Sequence, residues 1–304
     1  MIEVANLRKE YGGFVAVEGS SFSIDRGEVF GIVGHNGAGK TTTLKMLAGL
    51  IEPTGGTAIV AGHSAGEPAM QRRLGFLPEQ SPLYEEMTPI SYLEFFADLY
   101  DVPRGVASER IAELLDRLDL EHRDRELGNM SKGMKRKVAI ARALVNDPDV
   151  LIFDEPASGL DPVTTNYVLE FTRELADEGK TVVFSAHNLF HVESICDRLV
   201  IMSEGEIVAR GTIADIRSTY GGTTYHVTAT HTHGGVAVGQ DAIAAPVRSV
   251  ARENGTIRYV VSDMDGVDAV RTAVERAGGQ VTDIQTKTPS LEQIFLEVAG
   301  EASA

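Results

Sequence analysis

The chain has 304 residues, 43% of them hydrophobic, which is enough for a sizeable core and, at roughly 100–200 residues per domain, for two domains. Acidic residues outnumber basic ones by 44 to 28, so the formal net charge is −16. Because nucleic acid attracts proteins through basic surfaces, this balance argues against nucleic acid as a partner. No run of about 18 apolar residues occurs and no signal-peptide pattern opens the chain, so we expect it neither to span a membrane nor to be secreted.

The first elements in chain order are short strands. Apolar and polar residues alternate over residues 2–7 and 14–24, as in half-buried strands. An apolar stretch, EVFGIVG, then leads into a glycine-rich loop. After that loop Leu44, Leu47 and Leu50 recur at helical spacing. The local order is therefore strand, glycine loop, helix.

Residues 82–148 have a helical pattern, and Thr88 followed by Pro89 is typical of a helix N-cap and first turn. We expect a helical subdomain there. Strands and helices then alternate through VLIFD, a helix entered at Asp161, TVVFSAH, a helix from about Asn188, and RLVIMSEGEIVARG. Such alternation implies a largely parallel sheet covered by helices.

A change of composition near Tyr220 indicates a second domain. The residues that follow are glycine-rich and lead into strand-like TIRYVVSD, helix-like VDAVRTAVERAG and strand-like QVTDIQTK. We predict a larger α/β domain at 1–221 and a small α/β domain at 222–304. The single cysteine, Cys196, has apolar neighbours and is expected to be a buried thiol in a reducing compartment.

Residues 34–41 fit the phosphate-loop pattern G-x-x-x-x-G-K-S/T between a strand and a helix. Glycines let successive backbone N–H groups point at phosphate oxygens, and the start of the helix adds its positive dipole end. Lys40 is expected to pair with the β- and γ-phosphates, and Thr41 to place its hydroxyl on Mg²⁺. The plainer alternative is a glycine turn that merely joins strand and helix.

Two carboxylates, Asp154 and Glu155, follow the apolar run VLIF. Ligands of open α/β sheets bind at this carboxyl edge of the strands. Asp154 can hold Mg²⁺, directly or through water, while Glu155 is suited to orient or deprotonate the attacking water. Solvated carboxylates that merely cap a strand end are the alternative.

With these motifs in this order, residues 1–220 resemble the nucleotide-binding subunits of ABC transporters. The resemblance implies that Tyr11 stacks on adenine, that Gln80 reaches the metal and the nucleophilic water from a loop facing the membrane partner, and that His187 contacts the γ-phosphate and helps to position Glu155. It also implies a P-loop ATPase core with a mixed, largely parallel sheet, N-terminal antiparallel strands and a helical subdomain. Glu155, His187 and Gln80 are its predicted catalytic residues.

The segment at residues 130–134, MSKGM, stands where the family has its signature L-S-G-G-Q. Ser131 and Gly133 keep the hydroxyl and the glycine backbone N–H that, as the resemblance implies, donate to the γ-phosphate held by the opposite subunit. Lys132 and Met134 depart from the pattern. Asp161 lies in the loop that crosses the family's dimer, and it would also suit a plain helix cap. The full set of predicted ATP-binding residues is Tyr11, Gly34, His35, Asn36, Gly37, Ala38, Gly39, Lys40, Thr41, Thr42, Ser131, Gly133 and Asp161, and the predicted metal ligands are Thr41, Gln80 and Asp154.

The function implied is that of an ATP-hydrolysing subunit that uses ATP and Mg²⁺, pairs with a like or related subunit, and drives an integral membrane permease from the cytoplasmic face. The end of the chain, TPSLEQIFLEVAG, has capping-box spacing at Ser290 and Gln293 and resembles the closing segment of export-type subunits, which favours export over import. A dimerisation or stability role for the second domain is an equal alternative to a regulatory one. The rival functions are a non-transport ABC ATPase, a P-loop GTPase, for which a guanine-reading N-K-x-D motif is missing, and a metabolic kinase.

Overall fold

The computed structural model describes residues 1–231, 238–239, 242–253, 256–287 and 289–301. The chain divides into two compact units, whose main parts are Met1–Ile213 and Ala214–Val298. The domain boundary that we place after residue 221 stays a prediction.

The first unit has two sheets and a group of helices. Its elements in chain order are β1 (Ile2–Tyr11), β2 (Phe14–Ile24), β3 (Val29–Val33), α1 (Lys40–Leu47), β4 (Gly55–Val60), β5 (His63–Ser64), α2 (Pro68–Gln71), β6 (Leu74–Leu77), α3 (Pro89–Leu99), α4 (Arg104–Arg117), a 3-10 helix (Leu127–Asn129), α5 (Lys132–Leu144), β7 (Val150–Phe153), α6 (Pro162–Asp177), β8 (Thr181–Ala186), α7 (Leu189–Ile195), β9 (Arg198–Ser203) and β10 (Glu206–Gly211).

The central sheet has the strand order β10-β9-β3-β8-β7-β6, in which only β10 is antiparallel to its neighbour. All residues of β3, β7 and β8 are buried, as expected for parallel strands covered on both faces. The N-terminal strands form a separate antiparallel sheet, β2-β1-β4-β5. The predicted core, a largely parallel sheet preceded by antiparallel strands, is therefore confirmed.

The helical part between β6 and β7 is formed by α3, α4 and α5, in agreement with the prediction for residues 82–148. Thr88 and Ser91 form a reciprocal capping box at the start of α3, with Pro89 in its first turn. One detail of the helix prediction is wrong: α1 ends at Leu47, and Leu50 lies outside it and is 56% exposed. Gly49, at φ 68°, ends the helix because it takes up the left-handed conformation that closes a helix C-terminus.

The second unit carries α8 (Ile213–Tyr220), which begins at its boundary, followed by β11 (Thr224–His231), β12 (Val247–Glu253), β13 (Thr256–Val261), α9 (Met264–Arg276), β14 (Gly279–Lys287) and α10 (Leu291–Glu301). Its sheet is antiparallel with the order β12-β13-β11-β14. Val267, Val270 and Val274 of α9 are fully buried in a core shared with Val227 and Tyr259. The predicted elements are present, and β11 and β12 are additions that the sequence pattern had not indicated.

Within the residue ranges that the structure describes, no helix is both long enough and apolar enough to cross a membrane. Cys196 is buried as predicted, and burial raises the pKa of its thiol far above the usual range.

Candidate nucleotide-binding site

The phosphate loop, residues 34–41, connects the end of β3 to the start of α1. Gly37 and Gly39 have φ values of 86° and 101°, a region that favours glycine. A Cβ on Gly34 would come within 2.5 Å of the Met202 carbonyl oxygen, and one on Gly39 within 2.6 Å of the Ala16 carbonyl oxygen. The loop is therefore curled tightly against β2 and β9, and only glycine fits at both positions.

Lys40, the first residue of α1, is buried at the base of this loop. Its ammonium donates to the carbonyl oxygens of Gly34 at 2.7 Å and His35 at 3.3 Å. It also lies 3.7 Å from Glu155 Oε1. The loop's own carbonyls thus hold the lysine charge beside the acidic strand end.

Glu155 lies just beyond β7 in an unusual conformation. It is buried, and its φ of 48° lies in the left-handed region, which costs a non-glycine residue about 1–3 kcal/mol and persists only when the surroundings hold it there. Its N–H donates to Ser185 Oγ at 2.9 Å, and the Ser185 hydroxyl donates to Asp154 Oδ1 at 2.7 Å. One hydroxyl at the end of the neighbouring strand β8 therefore fixes both carboxylate residues.

His187 follows β8 and holds the other end of the Glu155 side chain. Its Nδ1 lies 2.8 Å from Glu155 Oε2, so the tautomer protonated at Nδ1 donates to the carboxylate. Lys40 and His187 consequently approach the two oxygens of one buried carboxylate from different elements. This arrangement holds the carboxylate group as well as its backbone.

These groups surround one cavity of about 750 Å³, which we call the nucleotide cavity. Its lining residues are Tyr11, Phe14, Ala16, His35, Asn36, Gly37, Ala38, Gly39, Lys40, Thr41, Thr42, Glu79, Glu155, Ser158 and His187. The structure thus brings most of the predicted ATP-binding residues to one place. Phe14, Ala16, Glu79 and Ser158 also lie here and were not among the predicted site residues. Phe14 pairs with Tyr11 across the β1–β2 turn, so a second aromatic residue at that turn was the available signal.

Some predicted residues do not line the nucleotide cavity. Gly34 is buried at the start of the loop, Asp154 is buried beside Glu155, and Gln80 is exposed next to the lining residue Glu79. Their assigned roles stay predictions.

The signature segment, residues 130–134, and Asp161 are also outside the cavity of their own chain. Ser131 caps α5 by accepting the N–H of Met134 at 3.2 Å. Asp161 caps α6 by accepting the N–H of Thr164 at 3.0 Å, and the hydrogen bonds from Thr164 lower the pKa of this carboxyl. Each thus has a structural role as a cap, which leaves its predicted role across a dimer neither supported nor opposed.

The predicted metal ligands are hard oxygen donors of the kind that Mg²⁺ prefers: a hydroxyl, an amide oxygen and a carboxylate. In the described part of the chain the Thr41 hydroxyl has no hydrogen-bond partner, whereas the Thr43 hydroxyl, two residues on, donates to the Gly39 carbonyl oxygen. No group of three His, Cys, Asp or Glu side chains among the described residues forms a ready metal site. The donor set therefore fits Mg²⁺ held jointly with phosphate oxygens, its usual mode in nucleotide sites.

A buried parallel sheet, a phosphate loop after β3 at its carboxyl edge and two carboxylates after β7, two strands away, define a P-loop NTPase with the architecture of an ABC ATPase. Comparisons with known proteins agree. Residues 17–158 match the ABC transporter family, and residues 211–299 match the C-terminal domain of DrrA1-3-like ATP-binding proteins.

Relatives resemble the chain over different lengths. The linearmycin resistance ATP-binding protein LnrL of Bacillus subtilis is 33% identical over 312 aligned residues, which cover 99% of this chain and 98% of that protein. The Nod factor export ATP-binding protein I of Burkholderia orbicola is 41% identical over 213 residues, covering 69% of this chain and 70% of its own.

Solved structures show the same fold. The ATP-binding subunit of an ABC transporter superimposes with a TM-score of 0.67 at 35% identity, covering 72% of this chain and 93% of its own. A dimeric ATP-binding cassette in a post-hydrolysis state with ADP and phosphate gives a TM-score of 0.64 at 25% identity, covering 70% of this chain and 99% of its own. The chain belongs to the ATP-binding subunits of ABC transporters.

Proposed function

We propose that the nucleotide cavity binds Mg-ATP and that Glu155 activates the water that attacks its γ-phosphate. The observation that carries the proposal is the meeting of Lys40, Glu155 and His187 at one cavity, with the carboxylate held from both sides. Lys40 provides positive charge for the phosphates, and Tyr11 provides an aromatic face for adenine. His187 keeps Glu155 in place while a proton leaves the water.

Thr41, Asp154 and Gln80 would hold the magnesium ion, which supplies positive charge to the β- and γ-phosphate oxygens when bound. Ser185 contributes by orienting Asp154 through its 2.7 Å hydrogen bond. A ligand oriented in this way needs little rearrangement to accept the ion.

Replacing Glu155 with Gln tests the proposed base. We expect Glu155→Gln to keep ATP affinity and to lower turnover by about a hundredfold or more, since only activation of the water is lost. Glu79→Gln makes the same chemical change at the other carboxylate that lines the cavity, and we expect it to retain most of the turnover. If Glu79→Gln loses turnover and Glu155→Gln retains it, the base is Glu79.

The complete ATP site is proposed to form between two subunits. The support for this proposal is a solved relative that is dimeric. Ser131 and Gly133 do not line the nucleotide cavity of their own chain and would contact the ATP of the opposite copy. We expect Glu155→Gln to form ATP-dependent dimers in size-exclusion chromatography, because bound ATP is not consumed. Lys40→Ala, which weakens phosphate binding, should remain monomeric.

We further propose that the chain couples hydrolysis to export through a separate membrane permease and lies against the inner face of the membrane by binding it. The export direction is supported by relatives named for linearmycin resistance and for Nod factor export. A docking surface is supported by exposed apolar side chains of the helical part: Tyr84 at 55%, Leu99 at 61% and Phe95, which contacts the Tyr84 ring edge to face at 5.7 Å. We call these three residues the aromatic patch.

Co-purification with the permease tests the docking surface. We expect Phe95→Ser together with Leu99→Ser to abolish recovery of the permease from detergent-solubilised membranes while basal ATPase activity persists. Val163→Ser is the control, because Val163 is 80% exposed on α6, away from the aromatic patch in sequence and element. If the double variant recovers as much permease as Val163→Ser does, the docking surface lies elsewhere.

A further inference from the structure

Arg136 is a buried charge on α5, five residues after Ser131. No carboxylate in the described ranges forms an ion pair with it, and burial lowers the pKa of its guanidinium to about 10. An arginine with pKa 10 is still charged at neutral pH. A buried charge without an ion pair needs hydrogen bonds to offset the loss of water.

One set of hydrogen bonds runs from Arg136 to the backbone carbonyl oxygens of residues 154–156, at the acidic strand end. Arg136 Nε donates to the carbonyl oxygen of Pro156 at 2.7 Å, and Nη2 donates to those of Glu155 at 2.8 Å and Asp154 at 3.3 Å. Three successive carbonyl groups thus turn toward one guanidinium. Their dipoles would repel one another without a cation at the point where they meet.

The remaining terminal nitrogen bonds to a different segment. Nη1 donates to the carbonyl oxygens of Pro78 at 2.9 Å and Glu79 at 3.1 Å, and approaches Ser81 Oγ at 3.4 Å. Gln80 belongs to this same stretch of backbone. A single planar group therefore joins residues 78–81 to residues 154–156 and both to α5.

The shape of the side chain matters as much as its charge. A guanidinium presents five N–H donors in a rigid plane, while a lysine ammonium presents three donors at one point. Only the guanidinium can bond both segments at once over these distances. The backbone that it holds includes Glu155, whose φ of 48° requires outside support.

We infer that Arg136 is a positioning residue for hydrolysis: its guanidinium holds the strained backbone that presents Glu155 and ties it to the segment that carries Gln80. The inference rests on the proposed function of Glu155. It adds that Arg136 links the backbone of Glu155 to residues 78–81. A movement of residues 78–81, which precede the aromatic patch, is passed to the base through one side chain. Ser131 moves with the same helix.

Arg136→Lys and Arg136→Ala test the inference in the full chain. We expect kcat to fall about a hundredfold in both, since a displacement of about 1 Å at a reacting group costs that much. The affinity for a fluorescent ATP analogue should stay within about threefold, because Lys40 and the phosphate loop are untouched. Lys137→Ala is the matched control: its ammonium lies 4.4 Å from the Tyr167 ring centroid, outside the site, so kcat should be unchanged.

Chemical rescue separates positioning from general stability. Guanidinium at non-denaturing concentration should restore part of kcat to Arg136→Ala, since it fills the same carbonyl-lined space, and methylammonium should not. Neither salt should raise kcat in the wild type or in Lys137→Ala. A structural role alone would predict a change in melting temperature without a guanidinium-specific gain in kcat.

The outcomes distinguish this inference from the proposed function. Normal kcat in Arg136→Lys, or no rescue of a folded Arg136→Ala, overturns the inference while leaving Glu155 as the base. Normal kcat in Glu155→Gln, measured alongside, overturns the proposed function itself. If neither Arg136 variant folds, the residue acts in folding and the inference as stated is wrong.

Discussion

Removing the Ser185 hydroxyl, a single oxygen atom, should lower the free energy of unfolding by several kcal/mol. The side chain is fully buried, accepts from the Glu155 N–H at 2.9 Å and donates to Asp154 Oδ1 at 2.7 Å. Ser185→Ala leaves a buried donor and a buried carboxylate oxygen unpaired, each at about 1–3 kcal/mol. We expect a loss of about 3 kcal/mol, which corresponds to a melting temperature lower by about 6–12 °C for a unit of this size.

The assay is thermal unfolding followed by circular dichroism, without nucleotide or magnesium, because ligand binding would itself raise the melting temperature. Ser203→Ala is the matched control, since Ser203 is also buried at a strand end but its Oγ has only a 3.5 Å contact to His35 Nε2. That change should cost less than about 1 kcal/mol. If the two variants melt within about 2 °C of each other, the two hydrogen bonds of Ser185 do not carry the energy assigned to them.

Three further predictions follow from backbone packing and burial. Gly75→Ala should abolish folding or lower the free energy of unfolding by several kcal/mol, because a Cβ at this position would come within 2.0 Å of the Ala143 carbonyl oxygen. Gly105→Ala in α4 is the contrasting variant: a Cβ there meets nothing within 4 Å, and the change should raise the free energy of unfolding by about 0.5–1 kcal/mol. Urea unfolding measures both. Cys196 should resist a thiol reagent in the native protein and react on unfolding, since burial keeps the thiol protonated. Thr88→Ala should lower the free energy of unfolding by about 1 kcal/mol through loss of the capping box; an unchanged urea midpoint would contradict it.

The parts of the site that could be predicted from sequence are those whose function depends on local spacing. The phosphate loop needs glycines and a lysine within eight residues, and the acidic strand end needs two carboxylates directly after an apolar run. Both motifs are contiguous, so one sequence shows them. The structure places the Lys40 ammonium 3.7 Å from Glu155 Oε1, so the two motifs meet at one site.

The parts that could not be predicted depend on contacts between distant residues. Ser185 reaches Glu155 across 30 positions and Arg136 reaches Pro78 across 58, and no periodicity marks either as special. Glu79 looked no different from any surface carboxylate.

In the second unit, β12 was missed for a related reason. The segment VRSVARE contains three charged residues, and charged side chains are typical of edge strands such as this one. A charged edge strand has a weak alternation signal, because pairing on one side, rather than burial, makes it a strand. Its identity as a strand appears only once β13 lies beside it.

The conformation of Glu155 explains why so many separate groups surround one residue. A left-handed glutamate is less stable than the same residue in an ordinary strand or turn by about 1–3 kcal/mol. Ser185 binds its N–H, Arg136 binds its carbonyl oxygen, and Lys40 and His187 approach its carboxylate. These four groups come from β8, α5, α1 and the segment after β8. Each contact contributes about 0.5–3 kcal/mol, which is similar to the cost of the left-handed conformation. One contact alone therefore barely offsets that cost, whereas the four together exceed it. The proposed base is therefore held only while all these elements keep their relative places. Displacement of β8, α5 or the segment after β8 should change hydrolysis before it changes ATP binding, whereas displacement of Lys40 should change both.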